Sequence, residues 1–227
     1  TNATLRTPIN TKGRPLYLHR NLRLKLTKQR YPVCTMATRN NVIIGLLFIS
    51  AFPLYGGGSA LLESESSELG LALVLANSVV VLVIGKMIQS ITISHDKFAS
   101  DGYFYARLLE AVLLAISGYL VYSTGNAEEG VNFYRIAMIG LGIGSIPLLI
   151  ALMRGKLIST WLGRFGLLGY SFLIIGILAD VIGEADIGLM LMIPGALFEL
   201  TFAIWLISIG FDSDSIVDEN QTSSTNQ

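Results

Sequence analysis

The sequence predicts an all-α integral membrane bundle of six transmembrane helices, with both termini on the same, inner side. Three observations carry that prediction. Apolar residues make up 52% of the 227, and the 23 glycines raise the apolar-plus-glycine share to about 62%. An ordinary soluble domain has about 45–50% on that count. Charged residues are 14%, where a soluble domain carries about 25%, so too little charge exists to wet an exterior. The apolar residues fall into six runs joined by short polar linkers, and the basic residues collect on alternate linkers. The same composition excludes a mostly disordered chain. A single cysteine, Cys34, excludes an internal disulfide framework.

The chain divides at 39 and at 211. Residues 1–39 carry nine Lys and Arg, no acid, three prolines and seven threonines. No apolar face persists there at helical spacing, so the stretch reads as an unfolded basic arm. Its acid-free, Arg- and hydroxyl-rich composition resembles an organelle-targeting segment. The alternative reading is an upstream artefact, with the start at Met36. Residues 40–211 form the membrane domain. Residues 212–227, with Asp212, Asp214, Asp218 and Glu219, read as an acidic disordered tail.

A membrane helix needs about 20 mostly apolar residues, because the hydrocarbon layer is about 30 Å thick and each residue rises 1.5 Å. Six stretches qualify. The first, 42–62, carries no charge. A cleavable signal peptide would also show the basic Arg39, an apolar run and the small residues Gly56 to Ala60; a retained helix is the reading preferred here. The second, 69–90, contains Lys86 near its end. The third, 102–123, contains Arg107 and Glu110. The fourth is 134–153 and the fifth 165–182. The sixth, 187–211, contains Glu199. One such run can be a buried soluble helix, but six in succession leave no polar sequence to cover them.

Six crossings place the arm, the second-to-third linker, the fourth-to-fifth linker and the tail on one side. That side collects fifteen of the sixteen basic residues, Arg107 included, and leaves Arg135 opposite. Glu63, Glu65, Glu68, Glu128, Glu129, Asp180, Glu184 and Asp186 occupy the other side. This is the asymmetry that sets an N-in/C-in topology in the cell membrane, or in an organelle membrane if the arm is a transit segment. Tyr103, Tyr105 and Trp161 are expected at the inner boundary, and Tyr122, Phe133 and Tyr134 at the outer one.

Several stretches are similar to a bacterial polytopic membrane family catalogued as domain of unknown function 4386. They are Asn77-Ser78-Val79-Val80-Val81-Leu82-Val83-Ile84-Gly85, Tyr105-Ala106-Arg107-Leu108-Leu109-Glu110-Ala111 and Leu141-Gly142-Ile143-Gly144-Ser145. Gly166-Leu167-Leu168-Gly169-Tyr170 and the run from Pro194-Gly195 through Glu199 to Trp205-Leu206 complete the set. The resemblance spans about 41–211 in one order. It implies the membrane architecture and brings no assigned chemistry.

Polar groups inside the apolar spans are the candidates for function. A charge at a helix centre costs about 2.5–3.5 kcal/mol on insertion scales, so it faces protein or water and has a partner. Arg107 and Glu110, three apart, share one face of the third helix, and Ser117 and Gly118 extend that face inward. Glu199 is flanked at helical spacing by Gly195, Ala196 and Ala203, small residues that admit a neighbouring helix. Glu110 lies about 12 Å and Glu199 about 18 Å from the inner boundary at 1.5 Å per residue, within reach of Arg107. The candidate site is therefore an intramembrane polar cluster of Arg107, Glu110 and Glu199, with Asn77 as a further hydrogen-bonding group. The same cluster would also serve as a plain structural staple.

Other features point elsewhere. Gly140-x-Gly142-x-Gly144 sits in an apolar helix with no strand before it, which fits close helix contact rather than a nucleotide loop. His19 and His95 have no Cys or second His nearby, so no metal is expected. Arg135 is expected to pair with Glu128 and Glu129 at the surface. Pro53, Pro147 and Pro194 are expected to kink the first, fourth and sixth helices. No catalytic constellation is visible, so no enzyme activity and no cofactor are expected. Three function classes remain: transport of a small molecule or ion, a non-catalytic accessory role and, with the least support, an enzyme acting on lipid. The expected partners are the lipid bilayer and other membrane helices or further copies of the chain, with no nucleic acid.

Overall fold

The computed structural model describes residues 31–211. These form six helices, α1 Tyr31–Leu62, α2 Ser67–Thr92, α3 Lys97–Thr124, α4 Ala127–Arg154, α5 Thr160–Val181 and α6 Ala185–Ser208, and among the described residues there is no strand. All six are long and apolar enough to cross a membrane, with the apolar part of α1 running from Arg39. The chain divides into two units between Arg39 and Asn40. Residues 1–30 of the expected arm and the tail from 212 lie outside the described residues, whereas 31–39 are helical. The packing below concerns the second unit, from Asn40 onward.

Local chemistry sets the helix ends, and it accounts for the differences from the hydropathy boundaries. Asp96 accepts a hydrogen bond from the Ala99 N–H at 3.0 Å, so α3 starts at Lys97, five residues before its oily stretch. Asn126 accepts from the Glu128 N–H at 3.1 Å and starts α4 seven residues early. Ser159 caps α5 through the Leu162 N–H. Short polar side chains satisfy amide groups that the first helical turn leaves unpaired. α3 stops at Gly125, whose φ of 68° is left-handed and suits glycine. α6 ends at Ser208 rather than 211, because the chain turns at Gly210 with φ of 74°. Pro53, Pro147 and Pro194 all lie inside helices.

The loops are short, so consecutive helices run antiparallel and pack on one another. Glycine brings each pair together. A Cβ on Gly85 of α2 would sit 2.6 Å from the Cβ of Arg107 in α3. Gly140 and Gly144 of α4 face Leu109 and Ala106 of α3. Gly142 meets Ile174 between α4 and α5, and Gly169 meets Gly195 between α5 and α6. α1 closes the circuit. Its Gly58 approaches Leu73 and Val74 of α2. Its Gly45 lies against Ala203 of α6, where Phe48 also meets Phe202 edge to face at 5.8 Å. The result is a ring of six helices in sequence order, with a large cluster that includes Ile44, Ile84, Leu141, Leu162, Tyr170 and Phe198 buried inside.

The outside is as apolar as the inside. Leu46, Val79, Tyr119, Ile143, Leu168 and Met190, one from each helix, are all more than half exposed. Exposed apolar surface of that extent marks contact with an apolar environment or partner, and the six helices are compatible with a multi-pass membrane protein.

The glycine contacts predict a contrast between two variants. Gly169→Val places atoms where its Cβ would already lie 3.1 Å from Gly195 Cα and from the Pro194 carbonyl oxygen. Overpacking of this kind costs about 1–3 kcal/mol, so thermal unfolding in detergent should shift several degrees down. Gly56→Ala, with nothing within 4 Å, should leave the transition in place. Equal transitions for the two would contradict the close α5–α6 approach.

Candidate intramembrane polar site

Helical spacing assembles the first half of the site. Tyr103, Arg107 and Glu110 follow one another at four and three residues along α3 and are all buried, on a face that continues through Leu114, Ser117 and Gly118. Gly85 of α2 leaves room for the Arg107 stem. The guanidinium is 2% exposed and every one of its nitrogens is engaged. Nε donates to Tyr103 Oη at 2.8 Å, Nη1 to Glu110 Oε2 at 2.9 Å and Nη2 to Glu199 Oε1 at 3.2 Å. Its carbon lies 5.3 Å from the ring centres of Phe48 and Tyr103. Tyr170 Oη donates to the same Glu199 oxygen at 3.0 Å.

Three of the four residues expected to cluster are therefore bonded together: Arg107, Glu110 and Glu199. Asn77, the fourth, is 2% exposed and lies beside them. Its Oδ1 meets no hydrogen-bond partner among the described residues, so the expected bond to the cluster is not formed. Three further participants were not anticipated. Tyr103 sits one helical turn before Arg107, and that spacing was a usable signal. Tyr170 and Phe48 come from α5 and α1, and no spacing within one helix could have identified them.

The cluster forms one wall of a cavity of about 270 Å³ to which all six helices contribute. Phe48, Phe52 and Tyr55 come from α1, and Asn77, Val81 and Ile84 from α2. Arg107, Glu110 and Leu114 come from α3, Tyr134, Met138 and Leu141 from α4, Tyr170 and Leu173 from α5, and Met192, Gly195 and Glu199 from α6. A second cavity of about 160 Å³ adjoins it and is also lined by Tyr55 and Tyr134. It extends to Glu63 and Ala127, beside the α1–α2 loop and at the start of α4. The two tyrosine rings stack at 5.7 Å and 9° where the cavities meet.

Several expectations require correction. Tyr103 is no boundary anchor: it is 2% exposed because its hydroxyl serves Arg107. Tyr134 lines both cavities. Arg107 belongs to the bundle interior and drops out of the surface charge asymmetry. Arg135 pairs not with Glu128 and Glu129 but with Asp180 of α5, Nε to Oδ2 at 2.8 Å. The two glutamates lie nearly two turns away along α4, about 9–10.5 Å at 1.5 Å per residue, whereas α5 packs directly alongside. Ser117, expected on the inward face of α3, is buried there and bonds the Gly130 carbonyl at 2.9 Å, which ties α3 to α4. Among the described residues no three His, Cys, Asp or Glu gather in a way that could hold a metal ion.

Compared with protein-family models, with curated proteins and with solved structures, the chain matches none.

The geometry predicts strong coupling within the ion cluster. Arg107→Met strands two carboxylates, and removing one partner of a buried ion pair costs about 3–5 kcal/mol. Adding Glu110→Gln and Glu199→Gln should recover most of that loss, read as unfolding free energy in a mutant cycle. An Arg107→Met penalty of the same size with and without the carboxylates would refute the coupling.

Proposed function

We propose that this protein is a multi-pass integral membrane protein that moves a small molecule or ion through the central cavity, with Arg107, Glu110 and Glu199 at the point of passage. One observation carries the reading: the ion cluster borders an open cavity instead of lying in a sealed helix interface. A purely structural pair gains nothing from a cavity, since voids cost packing contacts. Glu199 is the cluster member with residual exposure, 20% of its side chain, and so the one a passing solute meets. The accessory reading drew on small-residue faces for binding foreign helices. Gly140 and Gly144, one such small-residue face, contact α3 of the same chain.

The proposal includes an N-in/C-in topology. Its support is the placement of Lys97, Arg154 and Lys156 beside the α2–α3 and α4–α5 loops, against Glu63, Glu65, Glu128, Glu129 and Glu184 at the opposite loops. Kinship with the family of domain of unknown function 4386 is likewise proposed, on the sequence stretches in the second to sixth helices alone.

Two experiments test these statements. Proteoliposomes loaded with a mixture of ions and small metabolites should lose at least one solute faster with the unaltered protein than with Glu199→Gln, measured by mass spectrometry of the retained contents. Identical contents would end the transport reading. For topology, single cysteines in a Cys34→Ser background are labelled with an impermeant maleimide on intact cells. Glu65→Cys should react at once and Lys156→Cys only after lysis. Labelling in the reverse order would overturn the orientation, and labelling of both from outside would overturn the helix count.

A further inference from the structure

The charges around the central cavity do not balance. Arg107 is the only cation among its lining residues, and it faces two carboxylates, Glu110 and Glu199. The guanidinium bonds one oxygen of each, so the wall as a whole keeps a formal charge of −1 in mostly apolar surroundings. Beside it, Asn77 is 2% exposed, and its Oδ1 has no donor among the described residues. Buried acceptors are normally satisfied, and an exception calls for an explanation such as a missing partner. The two features have the same sign: both call for a group that carries positive charge and donates hydrogen bonds. The remaining wall is aromatic and aliphatic, with the stacked rings of Tyr55 and Tyr134 at one end and π faces that attract cations.

We propose that the cavity is a binding site for a small protonated amine with an apolar body, the ammonium seated between Asn77 Oδ1 and the Glu110/Glu199 carboxylates and the body against the aromatic wall. The proposal rests on the transport reading in one respect, since it names the class of solute carried, but binding is tested separately from movement. An ammonium group supplies several N–H donors and the missing positive charge in one atom. A bare metal cation needs six or more oxygen ligands in the case of calcium, or near-octahedral oxygen coordination in the case of magnesium, and this wall is mainly carbon. An anion would meet Arg107 only by displacing a carboxylate from it. The volume of about 270 Å³ lies just under the ≈ 300–1,000 Å³ range of small-molecule sites, which suits a compact arylalkylamine.

The test uses the full-length protein in detergent and isothermal calorimetry with three probes of one shape. These are phenethylammonium, the neutral 2-phenylethanol and the anionic 3-phenylpropanoate. Phenethylammonium should bind saturably and the other two at least about tenfold more weakly, since a charged hydrogen bond contributes enough to account for that factor. Asn77→Leu keeps the heavy-atom count and the branch at Cγ, places its added bulk toward the cavity that Asn77 lines and removes no existing bond, so it should fold as the parent does. It should weaken phenethylammonium by about tenfold and 2-phenylethanol, whose neutral hydroxyl makes a weaker hydrogen bond, by less. Equal binding of the three probes, preference for the anion, or full ammonium affinity in Asn77→Leu would overturn the proposal. Amine binding without vesicle flux would remove only the transport reading. Flux of a non-amine solute with no amine binding would remove only this one.

Discussion

A guanidinium buried in the middle of an apolar helix is the constraint on which the arrangement of this bundle depends. Arg107 cannot remain unpaired there, because a lone charge in a low-dielectric interior is far too costly. α3 supplies two partners from its own sequence, Tyr103 and Glu110, one turn to either side. The third partner is Glu199, 92 residues later on α6, and reaching it draws a helix that is not a chain neighbour to the centre. Tyr170 then holds the same Glu199 oxygen from α5. Phe48 of α1 offers its ring to the cation. One side chain thus specifies which faces of four helices point inward.

The perimeter and the centre of the ring follow different rules. Around the perimeter glycine allows neighbouring backbones to touch, as at Gly169 against Gly195 and Gly85 against Arg107. Such close approach gives dispersion contacts and suits helices that have no hydrophobic drive to associate inside lipid. In the centre, large side chains on six helices meet around a cavity rather than filling it. The proline residues Pro53 and Pro194 lie in the same layer as that cavity. Each removes one backbone donor from its helix, which frees a carbonyl one turn back for other use. The tyrosine pair Tyr55–Tyr134 stands where the two cavities meet, so any route between the polar cluster and the Glu63 end passes its rings.

The sequence by itself determined the parts that depend on composition and on distance along one helix. Six apolar runs exist because spanning an oily layer takes a set length, and a count of residues reads that directly. Arg107 and Glu110 share a face because three residues is close to one turn, and Glu199 could be matched to them because a charge at that depth needs a partner. Tertiary structure alone decided the rest. Which apolar residues face inward was not legible, since apart from the Arg107 face of α3 these helices are apolar nearly all round and show little amphipathic contrast to mark an inner side. Tyr170 and Phe48 joined the cluster, Asn77 was left without a donor, and Arg135 turned to Asp180 instead of its own helix. Each outcome was set by how far neighbouring helices rotate and approach one another, and those two quantities have no counterpart in spacing along a single chain.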